Sequence, residues 1–221
     1  MPQKPAYTGN QRNPTFEAAG IQPLYALENG SLVAVDMPTP GAPASSFPLS
    51  SGIRQALRTL TVPDAPAPYL CVSMDGRALA APGLRERMSG HAKSHGLAPS
   101  SLCLFFSDQD CLRHGIAALD SLISLKTGGF KVGLDIECLE TLPGLFVERL
   151  PADVLRLGPL DAMPMDGDSR ALSRVTDFTR YADNLLMTTA AAGVTSSTQV
   201  SFLLEAGISV GQGPFFSGTR T

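Results

Sequence analysis

The sequence predicts an α/β protein built on a parallel sheet. Short apolar runs recur along the chain, and helix-length segments separate most of them, which is the pattern of alternating strands and helices. Several runs end at a polar residue, such as Asp36, Ser73 and Asp135. The length of 221 residues suits one α/β barrel or one doubly wound domain. The predicted strands are residues 32–35, 69–72, 102–105, 132–134, 154–157 and 185–187.

Helices are predicted between these strands from apolar spacing and from residues that start or stop helices. The apolar residues Leu172, Val175, Phe178 and Tyr181 repeat at helical spacing. Gly128 and Gly129 follow the segment 111–125, and glycines commonly end helices. The predicted helices are residues 52–60, 79–95, 111–125, 170–184 and 199–205. The proline- and serine-rich segment 37–51 is predicted to be a loop, and residues 208–216 to hold a last strand.

Composition excludes several functions. The net charge of -3 gives no electrostatic basis for binding nucleic acid or an anionic membrane, and no apolar segment is long enough to span a bilayer. The four cysteines form no CxxC pair, which is typical of a reduced, cytoplasmic protein. Residues 1–15 are polar and are predicted to be a disordered lead-in, and residues 16–221 to form a single domain.

Six segments resemble, in order, the motifs of the EAL family, bacterial domains that hydrolyse cyclic di-GMP or descend from such enzymes. The segment IQPLYALENGSLVAVDM resembles the opening strand, turn and Glu-Ala-Leu strand of the family. The other five are LCVSMDGRALAAPGL, HGLAPSSLCLFFSDQ, FKVGLDIECLETLPGLFVERLPADVLRLG, AAAGVTSST and GQGPFFS. The resemblance runs from about residue 21 to residue 217 and implies an EAL-type (β/α) barrel, similar to a TIM barrel.

The resemblance also implies where an active site would lie. Family enzymes use two divalent cations, which need several convergent oxygen ligands. The matching positions hold Asp36, Ser73, Phe105, Asp135, Ile136, Ala192 and Thr195 at the acidic and amide positions, Arg156 at the catalytic lysine and Gln212 at the closing glutamine. Two carboxylates and a serine cannot hold two metals, and we expect Phe105, Ile136 and Ala192 to make the pocket floor apolar. These positions therefore predict a vestigial site with no metal, no cofactor and no catalysis.

The sequence leaves three candidate functions, which we rank. A regulatory domain that binds an unidentified protein comes first, and a non-hydrolytic cyclic di-GMP receptor comes second. Receptors of this kind keep a phosphate-holding arginine where this chain has Pro40, although Arg156 could still hold an anion and Arg77 matches a family arginine. An active phosphodiesterase comes third. The resemblance makes a homodimer plausible, although Cys138 and Glu140 replace glycines in the loop that family members use for pairing.

Overall fold

The eight strands of the protein form a closed barrel in the computed structural model, which describes residues 22–37, 69–137, 139, 148–158 and 169–217. The strands are β1 (Gln22–Ala26), β2 (Leu32–Met37), β3 (Tyr69–Ser73), β4 (Leu102–Ser107), β5 (Lys131–Ile136), β6 (Val154–Leu157), β7 (Thr188–Ala191) and β8 (Val210–Gln212). The helices are α1 (Arg77–Ala80), α2 (Leu84–Ser94), α3 (Asp108–His114), α4 (Ile116–Thr127), α5 (Ser169–Asn184), α6 (Ser197–Glu205) and α7 (Pro214–Ser217), and a 3₁₀ turn covers Pro99–Ser101. This architecture confirms the predicted α/β barrel.

One strand departs from the predicted parallel pattern. Strands β2 to β8 run parallel in chain order, whereas β1 is antiparallel to both of its neighbours, β2 and β8. A short turn joins β1 to β2, in which the amide of Gly30 bonds the carbonyl of Ala26. Antiparallel neighbours can be joined by such a turn, while parallel neighbours need a long crossover. The sheet is therefore mixed, and β1 closes it.

The buried apolar side chains form two separate clusters. One holds helix and strand residues together and fills the layer between the sheet and the helices. The other contains strand residues alone, among them Cys71, Cys103, Phe105 and Ala190, and fills the barrel interior. Successive strand side chains point to opposite faces of a sheet, so strands such as β3, β4 and β6 contribute residues to both clusters. The polar site described below lies above the inner cluster.

Two predicted helices are each divided into two. The segment predicted as a helix over 79–95 forms α1 and α2, because Pro82 and Gly83 interrupt it and Gly83 takes φ +70°. The segment predicted over 111–125 forms α3 and α4, which meet at Gly115 with φ +52°. Such positive φ values are easy for glycine and strained for other residues. The predicted helices over 170–184 and 199–205 agree closely with α5 and α6.

The prediction of a strand at 185–187 is wrong. These residues form the turn that ends α5, in which the amide of Met187 bonds the carbonyl of Ala182 at 2.9 Å and the amide of Leu186 bonds that of Asp183 at 3.0 Å. The strand follows directly as Thr188–Ala191. A short apolar run has no period of its own, so it cannot distinguish a helix end from a strand.

Replacing Leu186 with glycine should stabilise the protein by about 1 kcal/mol. Leu186 takes φ +57°, a conformation that glycine adopts without strain at a helix end, and its side chain is 93% exposed and loses little packing. The measurement is the urea midpoint of unfolding. The control is Leu204→Gly within α6, which should destabilise the protein because glycine is a poor helix former. A lower midpoint for Leu186→Gly would contradict the prediction.

Several expectations concern residues outside the described ranges. They include the lead-in 1–15, the loop after Met37, the helix over 52–60, and Pro40, Cys138 and Glu140. In the part of the chain that is described, no helix has both the length and the apolar character to cross a bilayer. The domain boundary at residue 16 stays a prediction.

Candidate functional site

The candidate site lies at the ends of the parallel strands, where α/β barrels carry their functional residues. Strand register sets this arrangement. Ser73 on β3 lies beside Phe105 on β4, and Asp135 on β5 lies beside Arg156 on β6. Asp36 lies near the end of β2 and Gln212 at the end of β8. The structure thus brings six of the predicted site residues to one end of the barrel.

Arg156 is the centre of this group. Its side chain is almost completely buried, with 7% of the residue exposed. Its Nε donates to Asp135 Oδ1 at 2.6 Å and its Nη2 donates to Asp135 Oδ2 at 3.0 Å, which makes a two-point ion pair. Its Nη1 donates to Asp36 Oδ2 at 2.5 Å. The guanidinium therefore joins the two carboxylates that remain at the family's ligand positions.

Two further contacts use the rest of the guanidinium. Arg156 Nη1 lies 3.4 Å from Gln212 Oε1, and its Nη2 lies 3.4 Å from Ser73 Oγ. An arginine side chain has five N–H donors in a fixed planar arrangement. The five contacts equal these donors in number, although the two at 3.4 Å are long for hydrogen bonds. The three short contacts commit the guanidinium to Asp36 and Asp135, which weighs against the expectation that it could hold a phosphate.

The ring of Phe105 packs against one face of the Arg156 guanidinium. The carbon at the centre of the guanidinium lies 4.1 Å from the centroid of the Phe105 ring, in the arrangement of a cation–π contact. Gly133 makes room for the ring, because a Cβ at this position would lie 2.4 Å from a ring carbon. Phe105 therefore occupies the floor of the site, as the sequence predicts, and cannot act as a metal ligand.

Ile136 lies apart from this group. Ile136 is fully buried among the residues between sheet and helices, whereas Asp135 beside it points into the barrel. The expectation that Ile136 lines the floor is wrong, because alternation along β5 directs it outward. Ala192 follows β7 and donates its amide to the carbonyl of Leu157 at 2.8 Å. Thr195, at the second glutamate position of that motif, is exposed and bonds Gln199 Oε1 through its amide at 2.6 Å.

The site contains more negative than positive charge. Burial acts to lower the pKa of Arg156, but the hydrogen bond to Asp135 and the charges of Asp36 and Asp135 together raise it above its usual value. Arg156 therefore stays charged at any physiological pH. Two carboxylates face one guanidinium, so the group carries a formal charge of -1. Asp36 Oδ1 is buried and has no hydrogen-bond partner among the described residues.

The residues of this site do not fit the two divalent cations that the family resemblance implies. The described ranges contain no group of three or more His, Cys, Asp or Glu side chains arranged to hold a metal. Both carboxylates at the site already bond Arg156, and a cation near them would face its positive charge. Asp36 Oδ1 is a free buried oxygen, but one oxygen is too few for the near-octahedral shell of Mg²⁺.

Sequence reasoning missed two residues that shape the site. Gln22 on β1 accepts a hydrogen bond from Gln212 Nε2 at 2.7 Å, and this contact joins the first and last strands of the barrel. Gly133 allows the Phe105 ring to lie against β5. A glycine inside an apolar strand commonly marks a close approach of this kind, so Gly133 carried a signal in the sequence. Gln22 carried no such signal, since glutamine is common at exposed positions of strands.

The start of α3 is tied to the end of β5 beside the site. Ser107 caps α3 by accepting the amide of Gln109 at 3.2 Å and donates to Glu137 Oε1 at 2.7 Å. Asp108 accepts the backbone amides of Gln109 and Glu137, and burial raises its pKa despite these bonds. These contacts fix the direction in which the chain leaves β5.

Arg77 is engaged with Asp75 and lies at the surface. Its Nη2 donates to Asp75 Oδ2 at 2.5 Å, and its Nε lies 3.0 Å from Asp75 Oδ1. The hydrogen bond from Arg77 lowers the pKa of Asp75 to about 2. The partner of Arg77, at the start of α1, is therefore Asp75, two residues before it.

Solved structures share this fold at low sequence identity. The PaMucR phosphodiesterase in complex with cyclic di-GMP superposes with a TM-score of 0.69 at 22% identity, over 90% of this chain and 94% of that chain. The EAL domain of Mycobacterium smegmatis DcpA gives 0.72 at 20% identity, over 89% and 88% of the two chains. The EAL domain of Xanthomonas citri FimX in complex with cyclic di-GMP gives 0.68 at 16% identity, over 92% and 89%.

Sequence comparisons point the same way. An uncharacterized protein of Azorhizobium caulinodans is 25% identical over 148 residues, which cover 67% of this chain. This chain matches only 20% of the length of that curated relative. The family model for the EAL domain matches residues 49–219, which is most of the chain. The resemblance of the motifs is thus confirmed, and the chain belongs to the EAL domain family.

Proposed function

We propose that this chain is a catalytically inactive EAL domain that acts in bacterial signalling by binding another protein. The observation that carries the proposal is the position of Arg156, whose guanidinium bonds Asp36 and Asp135 with three of its five donors. Phosphodiester hydrolysis in this family requires divalent cations that activate a water molecule. The carboxylates of Asp36 and Asp135, which could otherwise bind a cation, are already paired with the positive charge of Arg156.

Arg156 offers no substitute chemistry. A lysine at this position could exchange a proton, but an arginine stays charged, and the environment raises the pKa of Arg156 further. The aromatic ring of Phe105 lies where the family has a carboxylate ligand. The site therefore supports neither metal-activated attack nor proton transfer.

A non-hydrolytic cyclic di-GMP receptor is the second candidate. Two similar structures, of PaMucR and of the FimX EAL domain, are complexes with cyclic di-GMP, which favours this alternative. Against it, all three guanidinium nitrogens of Arg156 contact acceptors within the barrel, and Arg77 is paired with Asp75 through its Nε and Nη2. The group around Arg156 also carries a formal charge of -1, which repels an anion.

The protein surface supports binding to a protein partner. Large apolar side chains are exposed on it, including Ile116 at 79% and Ile123 at 48% on α4, together with Leu186. Ile116 and Ile123 are seven positions apart on α4 and therefore lie on the same face of the helix, and contiguous exposed apolar surface commonly marks protein interfaces. The partner in this proposal is a second copy of the chain or another protein. A cytoplasmic location is part of the proposal, and the free buried cysteines Cys71, Cys103 and Cys111 support it.

The purified chain should not hydrolyse cyclic di-GMP with Mg²⁺ or Mn²⁺ near neutral pH. It should also bind cyclic di-GMP no more tightly than about 1 μM, equivalent to roughly -8 kcal/mol. Product formation is measured by chromatography and affinity by calorimetry with and without Mg²⁺, and an active EAL phosphodiesterase is the positive control. Turnover that disappears in Asp135→Ala would refute the proposal. Nanomolar affinity without turnover would make the receptor the better assignment.

A further inference from the structure

We propose that the guanidinium of Arg156 is a built-in replacement for a bound cation, so that the end of the barrel keeps one conformation whether or not metal is present. Four side chains surround Arg156 with hydrogen-bond acceptors. Asp36, Ser73, Asp135 and Gln212 each direct an oxygen to the guanidinium at 2.5 to 3.4 Å. Carboxylate, amide and hydroxyl oxygens are the ligands that hard cations select in proteins.

These oxygens come from different parts of the barrel. Asp36 is on β2, Ser73 on β3, Asp135 on β5 and Gln212 on β8, while Arg156 itself is on β6. One side chain therefore joins five of the eight strands. A metal ion holds separate strands together in the same way, but a metal can dissociate whereas a guanidinium on the chain cannot.

The formal charge gives an independent argument. Without a cation, the buried carboxylate of Asp36 would lack solvation and would be repelled by the partly exposed carboxylate of Asp135, so a positive group that contacts both stabilises the fold. Arg156 supplies that charge, and the Phe105 ring 4.1 Å below it favours a flat cation. The site is thereby committed to an organic cation that is part of the chain.

The inference rests on the proposed loss of catalysis, but its test uses stability. The wild-type chain should show the same Tm in EDTA and in millimolar MnCl₂. Arg156→Ala should have a lower Tm, and MnCl₂ or about 20 mM guanidinium chloride should raise it by about 5 °C, because a cation binds the vacated carboxylates in the folded state alone. If Arg156→Ala does not fold, Arg156→Ser is tested in the same way. The matched control, Arg156→Ala with Asp36→Asn and Asp135→Asn, should not respond to either cation.

Either of two results would overturn the inference. One is a rise in the Tm of the wild-type chain with MnCl₂ that Asp135→Asn abolishes, because the site would then bind metal with Arg156 in place. The other is a folded Arg156→Ala or Arg156→Ser variant whose Tm neither cation raises. Neither result depends on turnover, so this inference can fail while the proposed lack of hydrolysis stands, and the reverse also holds.

Discussion

Replacing Arg156 with methionine should lower the free energy of unfolding by about 3–5 kcal/mol. Methionine keeps a long apolar side chain above Phe105 and removes the charge and all five donors. Asp36 and Asp135 would then face each other without a counter-charge, and Asp36 is buried, with 6% of the residue exposed. Removing one partner of a buried ion pair is far more destabilising than the net contribution of the intact pair, because the other charge, here that of Asp36, remains buried. Urea unfolding followed by circular dichroism measures the change.

Two comparisons separate this effect from the loss of an ordinary ion pair. Arg77→Met removes the partner of Asp75 at the surface and should change stability little, because solvent screens that pair. Adding Asp36→Asn and Asp135→Asn to Arg156→Met should restore much of the lost stability, since the unpaired charges are then absent. A loss below about 1 kcal/mol for Arg156→Met would show that the cluster contributes little to the fold.

Replacing Phe105 with alanine should destabilise the protein by about 3–5 kcal/mol, the usual cost for a fully buried phenylalanine. The ring fills the barrel interior between the guanidinium of Arg156 and the backbone of Gly133. Gly133→Ala should cost about 1–3 kcal/mol in the wild-type chain, because the new methyl group would lie within 2.4 Å of the ring. The same substitution should cost much less in the Phe105→Ala background. Chemical denaturation of the four proteins gives the coupling energy directly.

Gly90 provides the matched control for that measurement. It lies within α2, and a Cβ at this position meets no atom within 4 Å. Gly90→Ala should therefore stabilise the protein by about 0.5–1 kcal/mol, since alanine favours the helix. Equal effects of Gly133→Ala with and without Phe105 would contradict the close contact between the ring and β5.

The sequence could predict most of the strands and the position of the site, because both depend on local patterns. Strand-ending residues such as Asp36, Ser73 and Asp135 follow apolar runs, and parallel strands bring their ends together. The order of the six EAL-like motifs further predicted that the fold is an EAL-type barrel. Strand alternation also contained the information that Ile136 points away from the site, but the family resemblance suggested the opposite.

Other features depend on contacts that no local pattern records. The match between the five donors of Arg156 and their acceptors requires residues 21 to 120 positions away in the chain. The pairing of β1 with β8 depends on closure of the barrel, because the two strands lie at opposite ends of the described chain. The apolar run at 185–187 is compatible with a strand and with a helix end, and the hydrogen bonds that end α5 determine its conformation.

The contact between Gln22 and Gln212 has a consequence for the order of folding. These residues are 190 positions apart, so the contact that joins β1 to β8 closes a loop containing most of the chain. Closing a long loop loses chain entropy before any contact compensates for it, which makes distant strand pairing slow. We therefore expect β1 and β8 to pair late, after the intervening βα units have formed. Contacts that form after the transition state slow unfolding and leave the folding rate unchanged, so Gln22 and Gln212 should contribute to the lifetime of the folded barrel.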